Sequence, residues 1–130
     1  MNIKKHITLK NICTILGVAI AMVTLLLNTY LTFMSDTIKR ANAGDQSAQL
    51  FLANHYKKVG DYANSLYWYK AASVNKQTKE AGIAFNNLAF LYYNNFVPDD
   101  YSTASPTYYD TIFYCFDRSK ELGNQLAAKH

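Results

Sequence analysis

The chain has 130 residues, with 13 Lys plus Arg against 9 Asp plus Glu for a net charge of +4, and it is 50% hydrophobic and 15% aromatic. That size holds one small domain with at most an appendage. A charged fraction of only 17% beside so many aromatics excludes the compositional signature of disorder.

A basic balance raises the question of nucleic acid or an anionic membrane surface, so the location of the charge decides what it means. Lys4, Lys5 and Lys10 stand in the first ten residues without an acidic partner and contribute +3. From Ser35 to His130 there are 10 Lys plus Arg and 9 Asp plus Glu, which leaves +1. A reader of nucleic acid needs its basic excess on the folded surface to neutralise phosphates. No nucleic acid partner is expected here.

Residues 1–10 therefore read as a basic tail, and residues 11–35 as a transmembrane segment. The latter contains no charged residue in 25 positions and includes the dense apolar run Ile12 to Leu27. About 20 helical residues cross a hydrocarbon layer of roughly 30 Å. A cleavable signal peptide has the same basic start, but its apolar run is shorter and a small-x-small site follows it. The stretch Leu27 to Met34 offers no such site, which favours an uncleaved signal anchor. The apolar residues surround the helix instead of forming one stripe, which argues against a core helix. The bias of lysines towards the start places the amino terminus in the cytoplasm and residues 36–130 outside the cytoplasmic membrane. Cys13 falls in the span and Cys115 is the one thiol of the domain, so no disulfide forms within it; Cys115 reads as a small buried hydrophobe.

Residues 36–130 contain an internal similarity. Ala48, Leu52, Ala53 and Tyr56 recur as Ala84, Leu88, Ala89 and Tyr92 at an offset of 36 residues. Such a period marks paired-helix repeats. Gly44-Asp45 breaks and caps before a helix from about Gln46 to Lys58. Gly60 supplies a positive φ and Asp61 a cap before a second helix from Tyr62 to Val74. The next unit opens near Thr78 and runs to Tyr93. Asp99-Asp100 reads as a helix cap, and Pro106 delays the partner helix to Tyr108 through Leu122. Gly123 is expected to stop it and to begin a partial third unit. The resulting units span 41–74, 78–122 and 123–130. The expected fold class is all-α: an N-terminal transmembrane helix followed by a short α-solenoid of antiparallel helix pairs. Alanines let the helices approach, and Tyr56, Tyr62, Tyr69 and Tyr92 fill the gaps.

Ala43-Gly-Asp-Gln-Ser-Ala-Gln49, Tyr67-Trp-Tyr-Lys-Ala-Ala72, Asn87-Leu-Ala-Phe-Leu-Tyr92 with Val97-Pro-Asp-Asp-Tyr101, and Ser119-Lys-Glu-Leu-Gly-Asn124 together resemble the signature pieces of Sel-one-like repeats, a branch of the tetratricopeptide superfamily. The resemblance covers about residues 41 to 128. It departs in the short turn at Gly60-Asp61-Tyr62 and in the extra residues around Pro106. It implies an adaptor or scaffold without chemistry, of a kind often exported in bacteria.

The residues themselves point the same way. His6, His55 and His130 have no metal-ligand spacing, and neither a phosphate loop nor a nucleophile elbow is present. No enzyme activity, metal or cofactor is expected. Trp68 and its tyrosine neighbours read as core before ligand platform, and His55 as a packing residue. Once Leu52, Ala53 and Tyr56 face the core, Ser47, Leu50, Asn54 and Lys57 face another way, and their counterparts are Ile83, Asn86, Phe90 and Tyr93. Leu50, Asn54, Lys57, Asn86, Phe90 and Tyr93 form the candidate surface for a protein or peptide partner. The competing reading is that they pack against the inserted segment or a second subunit. Two and a fraction repeats fall short of the three a solenoid normally needs, which predicts a partner or self-association at the C-terminal end. The leading expectation is a membrane-anchored adaptor; the alternative is an exported immunity or inhibitor protein that neutralises a toxin in the same compartment.

Overall fold

The computed structural model describes residues 8–74, 76–96 and 106–127. They form five helices, α1 (Leu9–Asn42), α2 (Gln46–Lys58), α3 (Tyr62–Ser73), α4 (Lys79–Asn95) and α5 (Pro106–Ala127). No strand occurs among the described residues, so the chain is all-α as the periodicity required. Two compact units meet between Asp36 and Thr37. Lys4, Lys5, His6, the Asp99-Asp100 cap and His130 lie outside the described residues.

The 34 residues of α1, most of them in the first unit, would extend about 50 Å at 1.5 Å per residue. Its most apolar 18-residue window is 0% buried, and the helix is long and apolar enough to cross a membrane. Hydroxyls in it are satisfied within the helix: Thr14, Thr24, Thr29 and Thr32 each donate to the carbonyl four residues earlier at 2.8–2.9 Å. That arrangement removes the cost of an unpaired hydroxyl in an apolar surrounding. The helix does not end where the apolar segment does. It runs on past Ser35 to Asn42, and only the chemistry changes, with Asp36, Lys39 and Arg40 appearing while Thr37 and Ala41 become buried.

In the second unit, the same dipeptide ends one helix and starts the next at two places. Gly44 (φ 94°) and Gly60 (φ 81°) take the left-handed conformation that L side chains avoid. The following aspartates donate backbone N–H groups back to Arg40 O and Tyr56 O, at 3.1 and 2.9 Å. Their carboxylates then accept from the Ala48 and Asn64 N–H groups, at 3.1 and 3.2 Å, capping α2 and α3. Thr78 caps α4 in the same way through the Ala81 N–H.

Successive helices pack on one another, α2 on α3, α3 on α4 and α4 on α5, with a smaller contact between α2 and α4. Leu52, Ala53, Tyr69, Ala72, Ala81, Ala84 and Ala89 are fully enclosed, and Leu88 and Leu91 nearly so. The 36-residue offset is the length of one helix-turn-helix unit, which brings the same pattern onto α2 and α4, and Ala48, Leu52 and Ala53 are buried as are Ala84, Leu88 and Ala89. The hydroxyl of Ser65 on α3 donates to the Ala53 carbonyl of α2 at 2.9 Å, which requires the two backbones to lie close. Two glutamines tie the turn before α4 to the start of α2. Gln46 donates to Ala72 O and accepts from Thr78 Oγ1. Gln49, buried, donates to Ala41 O at 2.9 Å and accepts from Lys76 Nζ at 3.2 Å.

Three expectations change. Tyr62 is 38% exposed and fills no gap, because it begins α3 on the solvent side. The last helix begins at Pro106, whose fixed φ suits the first position of a helix. It also passes through Gly123 to Ala127, so the stop at Gly123 and a separate unit from 123 are absent among the described residues. Gly123 has no positive φ, and buried Leu122 holds the surrounding turn in place.

Leu52→Ala should destabilise the domain by about 3 kcal/mol through lost burial and a residual cavity, read as a lowered midpoint in thermal unfolding followed by circular dichroism. Hydrogen bonds hold both cap carboxyls below their ordinary 3.8: for Asp45 from the Ala48 N–H first and then Arg40, for Asp61 from the Asn64 amide first and then its backbone N–H. A depressed folded-state pKa contributes stability that is fully present above 3.8 and is lost as the pH falls through the depressed values. Wild type should therefore lose thermal stability below about pH 4, and D45N/D61N, whose amides still cap, should lose less of it over the same titration.

Candidate functional site

The residues singled out by the repeat offset stand on α2 and α4, on the sides opposite the core. Asn54, Lys57, Phe90 and Tyr93 are exposed, and Leu50 and Asn86 are half-buried; their companions Ser47 and Ile83 are exposed. Helical geometry explains the sorting, since positions 47, 50, 54 and 57 follow the same 3-4-3 spacing as 83, 86, 90 and 93 and thus share one face of each helix.

These residues fall into two patches. On α2, Asn54 and Lys57 border a depression of about 380 Å³ with Phe51, His55 and Lys58. It is cationic at its edge and has an exposed phenylalanine. On α4, Ile83 and Asn86 border one of about 300 Å³ with Lys79, Gly82, Ser119 and Gly123 of α4 and α5. Phe90 meets Phe116 of α5 edge to face at 5.3 Å. Neither depression is lined by residues of both helices, and Leu50 and Tyr93 line neither. Part of the α4 stripe thus packs against α5, which is neither the inserted segment nor a second subunit, while Phe90 and Tyr93 remain 46% and 53% exposed.

Asn54 has a second task. The Tyr69 hydroxyl, at the end of a fully buried ring, donates to Asn54 Oδ1 at 2.5 Å. Burial pushes the Tyr69 phenol up to about 12, so it stays a neutral donor across the physiological range. The outward face of α2 is thereby coupled to the core of α3.

The groups with chemical potential are otherwise occupied. Cys115 is buried, and desolvation raises its thiol pKa, which keeps it protonated and inert. Trp68 is buried with Tyr67 edge-on at 4.9 Å, a packing role. His55 sits edge-on to Tyr56. Among the described residues no three His, Cys, Asp or Glu side chains are grouped to hold a metal ion.

One feature escaped the repeat pattern. A cleft of about 600 Å³ is bordered by Lys76 and Gln77 before α4, Phe85 on α4, and Tyr114 and Arg118 on α5. These residues are spread over more than forty positions of sequence and share no periodic spacing, so only the packing of α4 against α5 assembles them. No family model, curated protein or solved structure matches the chain.

Tyr69→Phe removes the bond to Asn54 and leaves an exposed amide that water can satisfy. The expected loss is about 1 kcal/mol, measurable as a small fall in the thermal midpoint with an unchanged helical spectrum.

Proposed function

We propose that the protein is a membrane-anchored interaction module. α1 holds the chain in the cytoplasmic membrane with the amino terminus inside, and residues 36–130 form a short Sel-one-like or tetratricopeptide-like platform on the outer side. The platform binds a protein or peptide through the outward faces of α2 and α4. One observation carries this reading: Phe51, Ile83, Phe90 and Tyr93 are each more than 40% exposed on helices that bury Ala48, Leu52 and Ala53, and Ala84, Leu88 and Ala89, on their other faces. Large apolar side chains left exposed on helices mark docking positions, and rigid helices present them without an ordering cost on this side of the interface.

The chemistry found on these helices suits recognition and not turnover. The exposed groups are amides, lysines and rings, which supply contact area and hydrogen bonds.

The test is affinity capture from detergent-solubilised membranes, with wild type and Phe90→Ala/Tyr93→Ala compared at equal expression. A protein recovered with wild type and depleted about ten-fold or more with the double variant, as expected for two anchors worth at least 1 kcal/mol each, supports the reading. Equal recovery with both, or recovery of nothing beyond the chain itself, removes it.

A further inference from the structure

The cleft beside α5 has chemistry of its own, separate from the α2 and α4 faces. Two cations from different elements border it. Lys76 is half-buried, and its ammonium donates to Gln49 Oε1 and Ala71 O, both at 3.2 Å. Both acceptors are neutral. An ammonium carries three donors, and among the described residues the third has no acceptor and no carboxylate lies within ion-pairing distance of it. Arg118 lies 5.9 Å from the Phe85 ring centre and pairs with Glu121 through Nη1 alone, which leaves donors on Nη2 and Nε.

Two aromatic rings line the same cleft. Phe85 and Tyr114 meet edge to face at 6.0 Å with their planes at 86°, a stable pair geometry that fixes both rings. No acidic residue lines the cleft among the described residues. Its volume lies within the roughly 300–1,000 Å³ of ligand-sized sites. A part-buried ammonium held only by neutral acceptors attracts an anion strongly, because the surrounding protein screens it less than water would.

We propose that this cleft binds an acidic peptide segment of a partner protein, with a carboxylate received by Lys76 and Arg118 and a neighbouring apolar side chain seated against Phe85 and Tyr114. The inference does not rest on the α2 and α4 surface, and it holds whichever side of the membrane the domain occupies.

The test uses the full chain in nanodiscs of neutral phosphatidylcholine and a peptide amide, Gly-Asp-Phe-Glu-Gly, carrying a zwitterionic rhodamine; Gly-Asn-Phe-Gln-Gly is its neutral control. Fluorescence anisotropy should show the acidic peptide binding about ten-fold tighter or better, the gain of one charge-assisted hydrogen bond. Arg118→Gln should abolish that preference. So should Gln77→Glu, which brings a carboxylate to an exposed position of the cleft and leaves both cations in place. Equal affinity for the two peptides, no binding at millimolar concentration, or an unchanged preference in Gln77→Glu would overturn the proposal. Displacement of the peptide by an equal concentration of inorganic phosphate would also overturn it, since the aromatic wall would then contribute nothing. Phe90→Ala/Tyr93→Ala should bind the peptide as wild type does, so failure here and failure of the α2 and α4 surface are separate results.

Discussion

The close approach of α2, α3 and α4 through alanine is the constraint on which the domain depends. Ala53, Ala72, Ala81, Ala84 and Ala89 are wholly buried, and a larger side chain at any of them would push two backbones apart. Close approach is what lets Ser65 on α3 reach the Ala53 carbonyl of α2 and Gln46 reach the end of α3. It also limits how much apolar area each helix can bury. The bulk of the core therefore falls to a few larger residues, Leu52, Tyr69, Leu88 and Leu91, supported by dispersion contacts at close range.

Close packing in turn requires each helix to end and restart within two or three residues. The Gly-Asp junctions meet that requirement with one dipeptide, in which glycine adopts the positive φ that stops a helix and aspartate supplies the acceptor that starts the next. At the first junction Arg40 of α1 binds the same aspartate, Nε to Oδ2 at 2.9 Å. Together with Gln49 on the Ala41 carbonyl, this contact makes the last turn of α1 part of the folded domain.

Two kinds of surface result. The exposed stripes on α2 and α4 follow the helical spacing of each, and they present rings and amides. The cleft beside α5 arises where the turn into α4 meets the last helix, and its cations come from residues with no positional relation in the repeat. The first surface lies on helices that the core holds in place, so it needs no ordering on binding.

Much of the fold was legible in the residues. The charge-free stretch from 11 to 35 marked a helix that needs no other element to satisfy its backbone, and the 36-residue recurrence of Ala, Leu, Ala and Tyr marked the buried faces of α2 and α4. The glycines at 44 and 60 and the caps at 45 and 61 were readable because their roles depend on φ and on a backbone N–H three residues further on, both local quantities. Tyr62 and Gly123 were misjudged for the complementary reason. Whether a tyrosine fills a gap, or a glycine ends a helix, depends on what packs against the neighbouring turn. The division of the predicted stripe into two patches, the seat of Phe90 on Phe116, and the placing of Lys76 and Arg118 on one cleft were likewise decided only by tertiary structure. The sequence by itself determined which faces must be buried and where α2, α3 and α4 begin; packing determined which exposed residues share a cavity, because that depends on distances between helices and not on spacing along one.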